Sequence, residues 1–337
     1  MKLNLKIVFL SCCNLLFLNC MVTSNIAMKL YPESAYFVPL ILGIITCLIY
    51  LLVPKLIENY QSAILKGYLT RILLLIYLLV STIIIIYVTF RILSYHFYFI
   101  TPSYLLITIT LFFVMLFGFI TIKNLESITI ICYIFLFALS IFVIANVYNK
   151  DFRLLLPITF KFDKPYLLLG LLGLMLDNIL LIFIPTETKP TSKYSLIVGT
   201  IIAVIFSSWY VLDSYTFVNF QYYEGLDFPA LYRYKLYYGP KYIEHLDNFL
   251  CLSICSYMFL KTLFNLELFR IYIKAKNNIF YRFFITLTID VICIFMMYNI
   301  NFKFLYFYPI ILFLSVLIIL IIVSLWRYKH HERTTSW

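Results

Sequence analysis

The chain has 337 residues, 64% hydrophobic and 12% charged, with a formal net charge of +11. A soluble domain carries about 25% charged residues, so an ordinary soluble enzyme is excluded. Basic residues are scattered through short segments rather than gathered on one stretch, which speaks against nucleic acid as a partner and for charges that set membrane topology.

Ten apolar stretches follow one another: Leu5–Leu30, Ser34–Leu56, Thr70–Tyr95, Pro102–Ile122, Glu126–Tyr148, Tyr166–Ile184, Tyr194–Tyr215, Leu246–Phe269, Phe280–Met297 and Phe302–Trp326. Each is close to the roughly 20 residues that an α-helix needs to cross a hydrocarbon core about 30 Å thick. Runs such as Ser81 to Tyr87 and Val316 to Val323 are continuously apolar, whereas a membrane barrel alternates apolar and polar residues. The expectation is an all-α polytopic membrane protein, with residues 1–337 forming one integral-membrane domain. Met1 to Cys20 has the basic start and apolar run of a signal peptide. It has no small-residue cleavage site, and the apolar character continues to Ala27, so a retained first helix is expected.

Placing the N-terminus in the cytoplasm puts 15 of the 26 Lys and Arg residues on the inner side and 10 on the outer, with Lys261 inside a span. The bias predicts cytoplasmic N- and C-termini, as an even number of spans requires.

Two spans carry polar residues of the kind that interrupt membrane helices. In the first, Asn19, Thr23, Ser24 and Asn25 fall within seven residues. In the sixth, Gly170 and Gly173 precede Asp177 and Asn178. Interrupted helices expose backbone ends to ligands and ions, and an offset of five spans is what two five-helix inverted repeats produce. The predicted ligand-binding residues are therefore Asn19, Thr23, Ser24, Gly170, Gly173 and Asp177. The same glycines also fit simple close packing of helices.

Lys261 lies in mid-span, where an unpaired charge costs about 2.5–3.5 kcal/mol. Asp177 and Asp290 are the acids placed to neutralise it. The pair reads either as a structural contact or as a cation that replaces a coupling ion or forms a gate.

Reaction chemistry is not visible. The eight cysteines fall in apolar spans and read as packing residues, and none of the four histidines sits at metal-ligand spacing. No phosphate-binding glycine loop or nucleophile motif occurs. No metal, cofactor or catalytic residue is expected, and the chain is not expected to be an enzyme. One alternative is a membrane glycosyltransferase, polymerase or flippase of surface polysaccharide, which would use Glu224, Asp227, Glu244 and Asp247 in the longest segment between spans.

Short strings along the chain carry a resemblance. Arg91 in the third span precedes Thr101-Pro102 at the start of the fourth. Asn124-Leu125-Glu126 precedes the fifth, and Leu155-Leu156-Pro157 follows it. Glu244-His245-Leu246-Asp247 opens the eighth, with Lys261 later in the same helix. In this order the chain resembles the spore-germination permease-like family, the B subunits of nutrient germinant receptors in the amino acid–polyamine–organocation superfamily. It departs from the family pattern where Asn124 replaces Gly and His245 replaces Arg.

The resemblance implies a LeuT-like bundle of ten helices, with helices 1 and 6 interrupted, in the spore inner membrane. It implies a small nutrient ligand such as an amino acid, bound at the midplane and triggering germination. The implied partners are an A-type membrane subunit and a C-type lipoprotein. A stand-alone amino acid permease is the alternative with the same fold.

Overall fold

The computed structural model describes residues 5–52, 68–97, 102–117, 151–155, 162, 165–183, 193–216, 246–273, 279–299 and 308–334. These residues are helical, with short turns and no strand among them. The first span comprises α1 (Leu5–Phe17), a π-helical segment (Leu18–Thr23) and α2 (Ser24–Leu30). α3 (Phe37–Leu52), α4 (Tyr68–Phe97) and α5 (Ser103–Phe117) follow. The expected sixth span is occupied by α6 (Leu167–Met175), continued by a 3-10 segment (Leu176–Phe183). α7 (Lys193–Tyr215), α8 (Leu246–Ile273), α9 (Ile279–Asn299) and α10 (Tyr308–Thr334) complete the described helices.

Among the described residues, three stretches are long and apolar enough to cross a membrane: Tyr68–Ser94, Lys193–Tyr215 and Tyr308–Leu325. Leu5–Leu16, Phe37–Leu52, Tyr104–Leu116 and Leu167–Leu181 are apolar but shorter. The chain is thus a helical protein whose long helices are compatible with residence in a membrane. The expected span Glu126–Tyr148 and the segment 217–245 lie outside the described residues.

Apolar side chains face both ways. On α3, Val38, Leu42 and Tyr50 are buried, while Leu40, Ile44, Leu48 and Leu52 are exposed on the other side. On α9, Phe280, Phe284, Val291 and Phe295 point outward in the same manner. Large apolar residues exposed in such numbers suit a hydrocarbon surround better than water. Several buried hydroxyls are satisfied inside their own helices: Thr46 donates to the Leu42 carbonyl, Thr82 to Leu78, Thr110 to Leu106 and Ser207 to Ala203. This back-bonding removes a polar penalty without requiring a neighbouring helix.

Contacts between helices fix their relative directions. The Ser11 hydroxyl approaches the Ser195 carbonyl, Gly199 lies against Ser11, and the π segment also packs on α7, so α1 and α7 run parallel. α6 and α10 are parallel too. Tyr308 donates to the Leu167 carbonyl, and Gly173 sits against Ser315 further along both helices. α4 and α8 are antiparallel, since Arg71 meets Tyr272, Ser81 meets Asn265 and Thr89 meets Met258.

At the two polar positions the helices change hydrogen-bonding pattern but remain helical. Leu18–Thr23, which contains no Gly or Pro, winds as a π-helical segment, and Thr23 keeps right-handed helical angles (φ −62, ψ −48). In the sixth span Leu176, at φ −73 and ψ −7, ends the α-helix and the chain tightens into the 3-10 form. Neither span unwinds into an extended segment. Short π and 3-10 stretches within a helix commonly mark functional sites.

Candidate functional site

The deepest polar cluster forms where the sixth span changes pitch. The tighter 3-10 winding begins one residue before Asp177 and presents Asp177 and Asn178 toward α1. Both are fully buried. One Asp177 carboxylate oxygen accepts a hydrogen bond from the Tyr77 hydroxyl of α4. The other accepts from Lys261 Nζ of α8, as an ion pair, and from Asn14 Nδ2 of α1 at 2.8 Å. Asn14 Nδ2 also lies 2.8 Å from Asn178 Oδ1, and Asn178 Nδ2 donates to the Ser11 carbonyl at 3.1 Å. Nearby, the Tyr50 hydroxyl of α3 donates to the Met175 carbonyl at the end of α6.

Four segments therefore meet on one carboxylate. The Lys261 side chain is 1% exposed and Asp177 fully enclosed, and the ammonium also sits 5.2 Å from the centre of the Phe264 ring. With the charges opposed and both carboxylate oxygens bonded, the carboxylate is neutralised and satisfied, while Asn14 Oδ1 has no hydrogen-bond partner among the described residues. An ion pair in such surroundings contributes little net stability against an apolar replacement, yet removing one partner is strongly destabilising. Its physical effect is to lock α1, α4, the sixth span and α8 in one arrangement.

The second feature lies along the first span, beyond Asn14. Asn19, Thr23 and Ser24 are fully buried. Both side-chain polar atoms of Asn19 and the hydroxyls of Thr23 and Ser24 have no hydrogen-bond partner among the described residues. Buried polar groups are normally paired, because leaving one unsatisfied costs about 1–3 kcal/mol. Four such atoms on one helical segment make a patch of unused hydrogen-bonding capacity beside the satisfied Asp177 carboxylate. The π segment packs against α6 and α7, which places this patch between the first, sixth and seventh spans.

The other predicted residues fall elsewhere. Gly170 and Gly173 face α10 rather than the polar patch. A Cβ on Gly173 would collide with Ser315, and one on Gly170 would come within 3.0 Å of the Tyr308 hydroxyl. The Ser315 hydroxyl also donates to the Gly170 carbonyl. These glycines let α6 and α10 approach closely. Asp290 is buried on α9 and is not part of the Asp177 cluster. Arg91 is partly exposed near the end of α4, and Pro102 is exposed ahead of α5, where its carbonyl accepts from Leu105 and Leu106. Thr101, Glu126, Pro157 and Glu244 lie outside the described residues. Asp247 lies in the first turn of α8, where only the backbone is described.

Sequence reasoning overlooked Asn14, Tyr50 and Tyr77. An Asn in the apolar run Ile7–Leu16 was a usable signal, as were tyrosines in mid-span rather than at span ends. It also overlooked a charged group linking α8 and α9, in which Arg270 contacts Glu267 at 2.7 Å and Arg282 contacts Glu267 at 3.6 Å.

No protein-family model matches the chain, and no curated protein matches it.

Proposed function

We propose that the chain is a ligand-binding membrane protein of the LeuT-like type, with ten spans and cytoplasmic termini. Its ligand is a small, amino-acid-like nutrient held between the first and sixth spans. The observation that carries this reading is the unpartnered set Asn19, Thr23 and Ser24, which lies on the π segment and the helical turn after it, next to the Asp177–Lys261 cluster. These neutral donors and acceptors suit the polar groups of a small solute. A ligand bridging the first and sixth spans would favour one arrangement of the four helices that Asp177 joins. Such a shift is limited by its differential affinity for the two states.

The more specific role, a germinant-receptor subunit acting with an A-type membrane subunit and a C-type lipoprotein in the spore inner membrane, rests on the ordered strings from Arg91 to Asp247. In this reading the ligand signals germination. The permease alternative shares the same binding site and differs only in releasing its solute across the membrane.

The test is ligand-induced thermal stabilisation of the purified chain in lipid nanodiscs, screened over the twenty amino acids. A stabilising amino acid whose effect disappears in Thr23→Val and Asn19→Leu is the expected outcome. Stabilisation that persists in both variants would place the site elsewhere. Counterflow uptake by the chain alone in liposomes would favour the permease, whereas loss of one nutrient response in spores lacking the gene would favour the receptor.

A further inference from the structure

Asp290 stands apart from every charged cluster described above. It is the twelfth residue of the 21-residue α9 and is 2% exposed. Its neighbours on the inward stripe are Thr286, Ile289 and Cys293, while Phe284, Val291 and Phe295 cover the outward face. Neither carboxylate oxygen has a hydrogen-bond partner among the described residues.

The groups described on the neighbouring helices bond elsewhere or make no hydrogen bond to it. α9 packs on α4 and α5. The Thr286 hydroxyl donates to the Arg282 and Phe283 carbonyls of its own helix. Thr82 and Thr89 on α4, and Thr108 and Thr110 on α5, bond within their own helices in the same way. Of the titratable groups on these helices, Arg71 donates to the Tyr272 carbonyl, Tyr77 to Asp177, and Arg282 pairs with Glu267. Tyr104 and Tyr281 are exposed. Tyr87 and Arg91 make no hydrogen bond to either Asp290 oxygen. Cys293, one turn along α9, is the nearest titratable side chain on the same stripe and carries no positive charge.

An ionised carboxylate buried in mid-helix, with no cation and no donor among the described residues, is too unfavourable to persist. Such a group neutralises instead. We propose that Asp290 is a reversible proton-binding site: a carboxylic acid that is neutral while α9 is packed against α4 and α5 and loses its proton when that contact opens to water. The ligand is a hydron. The site is separate from the Asp177–Lys261 pair, whose carboxylate is already held by a cation. α9 suits this behaviour because its outer face is apolar and free of described helices, so only its inner contacts need to loosen.

The experiment uses the full chain in lipid vesicles treated with the apolar reagent dicyclohexylcarbodiimide. A protonated carboxyl transfers its proton to a carbodiimide nitrogen as its oxygen bonds to the central carbon. The acyl group then migrates to nitrogen, leaving a stable N-acylurea whose position is read by peptide mass mapping. The expected result is an adduct on Asp290 that falls several-fold as the pH is raised and is absent in Asp290→Asn, with Asp177 unmodified. Absence of the adduct at every pH would overturn the proposal, because the carboxyl would then be ionised and paired. An adduct of constant yield across the pH range would overturn reversibility. Both readouts come from the unsubstituted chain and stand even if Asp290→Asn fails to assemble.

Discussion

Asp177 and Lys261, 84 residues apart in sequence, form a buried ion pair at the point where the sixth span tightens from α to 3-10 helix. The pair explains how a chain this apolar tolerates a lysine in mid-span. Each charge is the solvent of the other, and Tyr77 and Asn14 complete the coordination of the acid.

Lys261→Ala is predicted to lower stability by about 3–5 kcal/mol, the usual effect of stranding one member of a buried pair. Adding Asp177→Asn to a Lys261→Met background restores most of the loss, since neither charge then remains. Unfolding of the four proteins in one detergent gives the coupling energy directly. Additive effects of the two substitutions would mean that the residues do not interact.

Tyr77→Phe removes a hydroxyl that donates to a carboxylate, and Tyr50→Phe removes one that donates to a backbone carbonyl at 3.3 Å. Hydrogen bonds to charged groups contribute about 1.5–3 kcal/mol against about 0.5–1.5 kcal/mol for neutral ones. Tyr77→Phe is therefore expected to be the more damaging in chemical denaturation. The reverse order would remove Tyr77 from the coordination of Asp177.

Gly199→Ala drives a methyl group into Ser11 Oγ and to 2.7 Å from the Val8 carbonyl. Overpacking of this kind costs about 1–3 kcal/mol or more. Ser11→Gly in the same chain relieves only part of the loss, because the Val8 backbone cannot withdraw. Gly170→Ala, whose nearest neighbour is the Tyr308 hydroxyl at 3.0 Å, is expected to be much milder. Comparable losses at both positions, measured by thermal unfolding, would contradict the close α1–α7 contact.

Thr23→Val exchanges an unpaired buried hydroxyl for a methyl group of the same shape. Replacing an unsatisfied group in this way is expected to stabilise the fold by about 1–3 kcal/mol. If the patch binds ligand, the same change weakens the response to that ligand, so stability and function move in opposite directions. A variant that is both more stable and fully responsive would reduce Thr23 to a packing residue.

Much of the helical layout was legible because hydropathy is a property of whole segments. The long apolar runs appear as α4, α7 and α10 in nearly the expected places. Lys261 stood out because a lone charge in such a run has few acceptable surroundings, and Asp177 was one of two acids able to meet it. What the sequence could not supply was the partner geometry. Asn14 and Tyr77 lie in different spans from Asp177, and nothing local to either residue specifies that they converge. The glycines show the same limit. Gly170 and Gly173 fit a break or a close contact equally well by residue type, and only the neighbouring Ser315 and Tyr308 reveal the contact. The first span winds as a π segment where its polar residues cluster, with no Gly or Pro there to signal the change.

The sequence separation within the Asp177 cluster has a consequence for biogenesis. A ribosome delivers Asn14 and Tyr77 before Asp177, but Lys261 emerges only 84 residues after the acid it neutralises. Throughout that interval the Asp177 carboxyl has only the Asn14 amide and the Tyr77 phenol to shelter it. The early helices thus act as an internal holding site for an incomplete bundle. Truncation of the chain before α8 should leave an intermediate that quality-control proteases recognise by its unmatched acid.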